Sequence, residues 1–142
     1  MKAFDLRILE ADSKFYEGDC VSLVIPTVDG SYGILADHTD IITAMVPGEL
    51  MYKRYEEEEF TVASVSAGIV KVESGKVLIL ADSVERLDEI DINRAKREAE
   101  EARQALNQKS TLREFLVAKT QLDRAINRMK IHNKYSDDSF DF

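Results

Sequence analysis

Two hydrophobic periods divide the chain. Up to about Leu80, apolar residues recur at every second position, which is the spacing of a half-buried β-strand. From Asp91 onward they recur at every third or fourth position, which is the spacing of one face of a helix. The change of period falls within residues 80–95, and we predict that this stretch is the hinge between a sheet domain and a helical one.

The first part of the chain predicts nine or ten short strands separated by turn signals. The alternation over residues 4–8 marks the first strand. Asp29-Gly30 is the strongest hairpin signal, because glycine accepts the positive φ of a primed turn. A later strand is predicted to place three residues on the core face: Phe60, Val62 and Val65. One open sheet would not hold so many strands, so we predict two packed sheets or a flattened barrel.

The second part predicts two antiparallel helices joined by a short loop. Asp91 can cap the first helix by accepting from its free amides, and Thr111 with Glu114 has the form of a capping box for the second. The apolar faces are Ala95, Ala99, Ala102 and Leu106 on the first helix, and Phe115, Ala118, Leu122, Ala125 and Met129 on the second. An alanine-lined contact buries little apolar surface, so we expect the hairpin to open separately from the rest.

These patterns predict three segments: a sandwich over residues 1–88, a helical hairpin over 89–134 and a flexible acidic tail over 135–142. An apolar content of 44% in 142 residues is enough for a real core. The single cysteine, Cys20, excludes an internal disulfide and cannot hold a metal by itself, so it is expected in the core or at a strand edge. The sequence shows neither a signal peptide nor about 18 consecutive apolar residues, so we expect no membrane span.

The net charge of −8 is unevenly distributed. Residues 1–90 hold 8 Lys/Arg against 18 Asp/Glu, whereas residues 91–134 hold 11 against 6. The acidic part argues against nucleic-acid binding. The basic part suits an acidic partner, a phosphate ligand or nucleic acid, and a solvated helix face is the simpler interpretation.

The sequence contains no recognisable catalytic motif. It has no Gly-rich phosphate loop, CxxC pair, HExxH helix or nucleophile elbow. Asp37, His38 and Asp40 lie close together and would suit a small hydrolase, although such clusters are more often structural or solvated. We therefore predict a non-catalytic protein.

A series of short motifs resembles the epsilon subunit of bacterial and chloroplast F-type ATP synthases. The motifs are Gly30-x-x-Gly33-Ile34-Leu35-x-x-His38, Pro47-Gly48, Ser66-x-Gly68, Val77-x-Ile79-Leu80-Ala81-Asp82 and Ile90-Asp91-x-x-Arg94-Ala95. The resemblance runs from about Phe4 to Arg128. It departs where the family usually has Pro-Gly, here Ala36-Asp37, and a second glycine, here Ala67. It implies a ten-stranded β-sandwich followed by an antiparallel two-helix hairpin.

The resemblance also implies a place in the central stalk. The family's subunit is non-catalytic, couples ion flow to ATP synthesis, and binds the gamma subunit and the c-ring beneath the alpha/beta hexamer. It would be peripheral on the cytoplasmic face of the bacterial cell membrane, attached only through the complex, with no nucleic-acid partner and no metal. The gamma and c-ring contact would involve Ser31, Tyr32, Ala36, Asp37 and His38. A loop that merely closes a hairpin, with an ordinary exposed histidine, is the alternative interpretation.

In the family the helical hairpin is a movable inhibitor of ATP hydrolysis. It is permissive when folded, and when extended it reaches an acidic region of the beta subunits. The resemblance therefore assigns a basic face to the second helix, consisting of Lys119, Arg124, Arg128, Lys130 and Lys134. Its attraction to an acidic partner should weaken as salt rises.

Some bacterial relatives bind ATP in the folded hairpin. The positions that match their motif are Glu85, Ile90, Asp91, Arg94, Ala95, Arg124 and Arg128. Arginines suit phosphates, and a carboxylate suits the adenine amine. Glu101, however, stands where those relatives have an arginine, and its charge would repel a triphosphate. We predict no required cofactor and at most weak regulatory binding of ATP.

Simpler roles remain open for these residues. Asp91 would only cap its helix, and Arg124 and Arg128 would only line a solvated face. The alternative function is a free-standing β-sandwich binding module with a nucleotide-sensing hairpin, acting outside any ATP synthase. Co-purification with a gamma subunit separates the two functions.

Overall fold

A computed structural model describes residues 2–55, 57, 59–108 and 111–138, with side chains as far as Tyr135. The chain forms two compact units, Met1–Arg86 and Leu87–Phe142.

Within the described residues, the first unit contains ten strands. They are β1 (Phe4–Leu9), β2 (Lys14–Cys20), β3 (Ser22–Thr27), β4 (Gly30–Ile34), β5 (Ile41–Met45), β6 (Gly48–Lys53), β7 (Thr61–Val65), β8 (Gly68–Glu73), β9 (Lys76–Ala81) and β10 (Val84–Arg86). They form two five-stranded sheets, ordered β2-β1-β9-β8-β5 and β10-β7-β6-β3-β4. β1 and β9 run parallel, and the other neighbours are antiparallel. The predicted β-sandwich is confirmed, with open sheets in place of a closed barrel.

The core lies between the sheets and follows the predicted alternation. Leu6 and Ile8 of β1 are fully buried, as are Leu23 and Ile25 of β3. Successive side chains on a strand point to opposite faces, so the polar residues between them reach the surface.

One predicted core face is wrong. Phe60 is 39% exposed and Val62 is only half-buried, whereas Ala63 and Val65 are buried. Residues 62 and 65 are an odd number apart, so one strand cannot place both on the same face. The inner face of β7 therefore belongs to Ala63 and Val65.

Three motif positions have clear structural reasons. The hairpin at Asp29-Gly30 is confirmed, since Gly30 has a φ of 113° and pairs with Thr27 at the start of β4. Gly68 opens β8 where a Cβ would lie 2.3 Å from the carbonyl oxygen of Leu80, so a larger residue would displace backbone. Ser66 is buried, and its hydroxyl accepts a hydrogen bond from the amide of Ser83 at 2.7 Å.

The second unit contains a short 3-10 turn (Leu87–Glu89) and two helices, α1 (Ile92–Leu106) and α2 (Leu112–Asp138). Both predicted caps are confirmed. An Asp91 carboxylate oxygen accepts from the Arg94 amide at 3.1 Å, and the Thr111 hydroxyl accepts from the Glu114 amide at 3.2 Å. None of the helices in the described residues is long and apolar enough to cross a membrane.

The two helices pack antiparallel through small residues. Five alanines are 4% exposed or less: Ala95, Ala99 and Ala102 on α1, and Ala118 and Ala125 on α2. Glu98 of α1 contacts Arg128 of α2, and Ala105, later in α1, lines a shallow groove with Gln121, earlier in α2. The two helices therefore run in opposite directions. The predicted alanine contact is therefore present.

The second helix differs from its predicted form in its buried face and at its C-terminal end. Phe115, expected on the buried face, is 43% exposed, and Leu122 and Met129 are only half-buried. α2 continues to Asp138, four residues beyond the predicted boundary at Lys134. Residues 109–110 of the predicted break and 139–142 of the predicted tail lie outside the described residues.

Candidate functional site

A hydrogen-bonded clamp lies where β4 leads into the following loop. The Tyr32 hydroxyl and His38 Nε2 are 2.7 Å apart, and His38 Nδ1 lies 2.7 Å from the Thr39 carbonyl oxygen. Because a carbonyl oxygen can only accept, Nδ1 carries a proton, and in the neutral ring the Tyr32 hydroxyl donates to Nε2. The two rings also meet edge to face, with centroids 5.6 Å apart. The clamp gives this loop a defined shape.

The other residues predicted for the gamma and c-ring contact lie close to the clamp in the sequence. Asp37 adopts a left-handed backbone with φ of 64°, a conformation that aspartate tolerates better than most residues. The Asp37 carboxylate pairs with the Lys2 ammonium at 2.9 Å, and both side chains are exposed. Ser31 is exposed, and Ala36 packs against the core.

The same geometry separates the three groups that a hydrolase would need. Asp37 pairs with Lys2, His38 bonds Tyr32 and Thr39, and an Asp40 carboxylate oxygen accepts from the Ser74 amide at 3.0 Å. A catalytic histidine needs a carboxylate on one ring nitrogen and a nucleophile at the other. Here both ring nitrogens of His38 have other partners, so the cluster stabilises the loop.

An apolar patch that the sequence pattern did not predict lies on the outer face of the first sheet. Ile42 of β5, Ile69 of β8 and Leu80 of β9 are 72%, 52% and 48% exposed. Ile69 is the register partner of both Ala44 and Leu80, so the patch continues across three strands. We call Ile42, Ile69 and Leu80 the outer apolar patch. The continuous apolar run of β5 was the available signal, because it puts apolar residues on both faces of the strand.

A shared carboxylate links the helices of the second unit. One Glu98 oxygen lies 2.9 Å from Arg94 Nε on the same helix, and the other lies 2.8 Å from Arg128 Nη1 on α2. The exposed fractions of the side chains are 68% for Arg94, 32% for Glu98 and 22% for Arg128. Two arginines of the predicted ATP site are thus brought together, around a residue that the prediction omitted. The four-residue spacing of Arg94 and Glu98 was the signal for it.

The remaining residues of the predicted ATP site have mixed placements. Asp91 caps α1, Ala95 is buried in the helix contact, and Ile90 is 8% exposed. Arg124 lies half-buried one turn before Arg128. Glu85 belongs to β10 in the other unit, where it pairs in register with Ser64. Glu101 is exposed on α1.

The predicted basic series of α2 divides into two faces. Lys119, Lys130 and Lys134 are exposed, whereas Arg124 and Arg128 are half-buried. At about 100° per residue, the three lysines fall within roughly 60° of one another, and the arginines lie about 80° to 180° away from them. The lysines form a solvated stripe, and the arginines border the helix contact. Binding of the series to an acidic partner stays a prediction.

Comparisons with known proteins cover both units. Residues 3–87 match the ATP synthase delta/epsilon chain beta-sandwich domain. Residues 88–133 match the ATP synthase delta/epsilon chain long alpha-helix domain.

Similar proteins align along nearly their full length. An ATP synthase epsilon chain of Ruminococcus albus is 38% identical over 135 residues, which are 94% of this chain and 99% of the relative. The corresponding chain of Caldanaerobacter subterraneus is 36% identical, covering 96% and 98%. A sodium ion specific epsilon chain of Propionigenium modestum is 30% identical, covering 95% and 97%.

Solved structures share the fold. A chain of the Euglena gracilis mitochondrial ATP synthase superposes with a TM-score of 0.74 at 24% identity, covering 88% of this chain and 78% of that one. A chain from the central stalk and c-ring of the Tetrahymena thermophila enzyme gives 0.69 at 13% identity, covering 90% and 95%. With both domain matches in sequence order and epsilon chains aligned over their full length, the chain belongs to the ATP synthase delta/epsilon family.

Proposed function

We propose that this chain is a non-catalytic subunit of the central stalk of an F-type ATP synthase. It couples ion flow to ATP synthesis and restrains ATP hydrolysis with its helical hairpin. The observation that carries the proposal is the construction of the chain in two compact units, a sandwich with its own core and a hairpin held by alanines. A rotor subunit needs a rigid part to bind the stalk and a second part that can move.

The sandwich offers two surfaces for the stalk. The outer apolar patch has the character of a protein interface, because a cluster of exposed isoleucine and leucine side chains is costly to leave in water. We assign it to the gamma subunit. The loop held by the Tyr32 and His38 clamp is assigned to the c-ring, together with Ser31, Ala36 and Asp37.

The hairpin has the properties of a movable inhibitor. The buried alanines separate at low cost, because each carries only one methyl group to the contact. The stripe of Lys119, Lys130 and Lys134 is exposed, which suits contact with an acidic surface on a beta subunit of the alpha/beta hexamer. ATP is not required by this chain and acts at most as a weak regulatory ligand.

The chain is held at the membrane through its complex. We place it on the cytoplasmic face of the bacterial cell membrane as a peripheral subunit, attached through gamma and the c-ring.

The test is recovery of the complex with a tagged chain expressed in its own bacterium. The wild-type chain should bring down an ATPase from detergent-solubilised membranes. Ile69→Asp should lose most of that ATPase, because it places a charge in the outer apolar patch. Tyr55→Asp is the matched control, since Tyr55 is 53% exposed against 52% for Ile69 and lies outside the patch.

Three outcomes decide the proposal. Loss with Ile69→Asp and retention with Tyr55→Asp would support both the stalk role and the patch. Equal recovery of ATPase with the two variants would reject the assignment of the outer apolar patch to gamma and leave the stalk role standing. Recovery of the wild-type chain without any ATPase would reject the stalk role and favour the free-standing binding module.

A further inference from the structure

The carboxylate of Glu98 is shared by arginines on two different helices. Its two oxygens contact different arginines, Arg94 at 2.9 Å and Arg128 at 2.8 Å. We propose that Glu98 is a built-in anionic ligand that holds the hairpin folded without nucleotide and must be displaced before a phosphate can pair with Arg128.

The packing of the helices makes this contact close. Ala95 and Ala99 on α1 and Ala125 on α2 are buried and have no side chain beyond Cβ, so the helix axes approach closely. Glu98 and Arg128 therefore meet without extending into solvent, and both are less than one-third exposed. Arg94, one turn before Glu98, orients the carboxylate toward α2.

A phosphate and the Glu98 carboxylate compete for the same groups. Both accept hydrogen bonds from guanidinium N–H groups, and both prefer the planar fork of an arginine. An incoming triphosphate would also meet the negative charge of Glu98 itself. A ligand therefore has to break the Arg128 contact that fastens the two helices before it replaces that contact.

The first test measures hairpin opening by hydrogen exchange in the full chain. Glu98→Gln removes the charge of the bridge and should accelerate exchange of amides in α1 and α2 by about tenfold. Glu100→Gln is the matched control, because Glu100 pairs with Arg103 on the same helix and makes no bridge to α2 in the described contacts. It should change exchange by less than about twofold.

A double-mutant cycle assigns the effect to the Glu98 and Arg128 pair. Arg128→Gln alone should also accelerate exchange, and the double variant should be no faster than the faster single variant. Equal rates for Glu98→Gln and Glu100→Gln, or fully additive effects of the two single changes, would overturn the proposal. If Glu98→Gln loses its helical circular dichroism, Glu98→Asp replaces it in the cycle. The shorter carboxylate cannot span both arginines and should give a smaller acceleration.

The second test measures ligand binding by calorimetry, with ATP and inorganic tripolyphosphate as probes. This part rests on the proposed function, because the arginines belong to the ATP motif of the family. Glu98→Gln should bind either probe about tenfold more tightly than the wild-type chain, and Glu100→Gln should match the wild type. Glu98→Gln binding no tighter than wild type would overturn the displacement claim. Neither calorimetric result bears on recovery of the ATPase, so failure here is distinguishable from failure of the stalk role.

Discussion

Overpacking the alanine contact of the hairpin should open it while leaving the sandwich intact. Ala99 is 1% exposed at the centre of α1, opposite the small residues of α2. Leucine at this position is an excellent helix former, so Ala99→Leu does not weaken the helix itself. The added methyl groups have no space between the helices, so the loss of free energy is confined to helix packing.

The size of the expected destabilisation follows from the small apolar surface that the helix contact buries. At about 0.8 kcal/mol for each buried methyl-sized group, the five alanines contribute roughly 4 kcal/mol to helix packing. Overpacking a tight contact costs about 1 to 3 kcal/mol, and we take about 2 kcal/mol for Ala99→Leu. This is about half of the alanine contribution. With a urea dependence of about 1 kcal/mol per molar for a unit of this size, the midpoint should fall by about 2 M.

The two units have different spectroscopic probes. Far-ultraviolet circular dichroism reports α1 and α2, whereas four of the five tyrosines lie in the sandwich unit, at Tyr16, Tyr32, Tyr52 and Tyr55. Urea should lower the helical signal of Ala99→Leu early and leave the tyrosine transition unchanged. Lys96→Leu, on the exposed side of α1, is the control and should follow the wild type. A helical midpoint that does not move, or a tyrosine transition that moves with it, would refute the reasoning.

Three further predictions concern the sandwich. Gly68→Ala places a Cβ 2.3 Å from the carbonyl oxygen of Leu80 and should cost about 2 kcal/mol, which calorimetry would record as a Tm lower by about 10 °C. At Asp37, whose φ is 64°, Asp37→Gly should fold as well as wild type, whereas Asp37→Val should lose about 1 to 2 kcal/mol in urea unfolding; equal stability of the two would contradict the backbone argument. Burial raises the pKa of the Cys20 thiol and of the Tyr52 phenol above the values of about 8.5 and 10 that they have when unfolded. As pH rises, the unfolded chain therefore loses these protons before the folded chain does. The stability that the two groups contribute is complete below about pH 8.5 and is lost as pH rises toward their folded pKa values. A Tm that does not fall between about pH 8 and pH 11 would contradict this prediction.

The architecture was accessible from the sequence because local signals agreed with it. Apolar alternation located the strands, and capping residues located the starts of both helices at Asp91 and Thr111. Side-chain direction was harder to predict where neighbouring apolar residues compete for one face. The small Ala63 of β7 is inside and Phe60, just before this strand, is outside, an order that hydrophobicity alone reverses.

The candidate sites depended on contacts that no linear pattern contains. The Glu98 bridge joins residues 30 positions apart, and only the antiparallel packing of the helices brings Arg128 to it. The outer apolar patch likewise arises from strand order, because β5 lies beside β8 in the sheet although β6 and β7 separate the two in the chain. The clamp between Tyr32 and His38 joins residues on either side of the left-handed Asp37, and no apolar pattern predicts that backbone conformation.

The central claim is that the sandwich binds the stalk while the hairpin restrains hydrolysis. The most direct measurement compares ATP hydrolysis by the complex assembled with the full chain and with a chain ending at residue 88. Both chains should assemble with gamma, and hydrolysis should be faster with the shortened chain. Normal assembly with unchanged hydrolysis would contradict the role assigned to the hairpin, and failure of the shortened chain to assemble would contradict the role assigned to the sandwich.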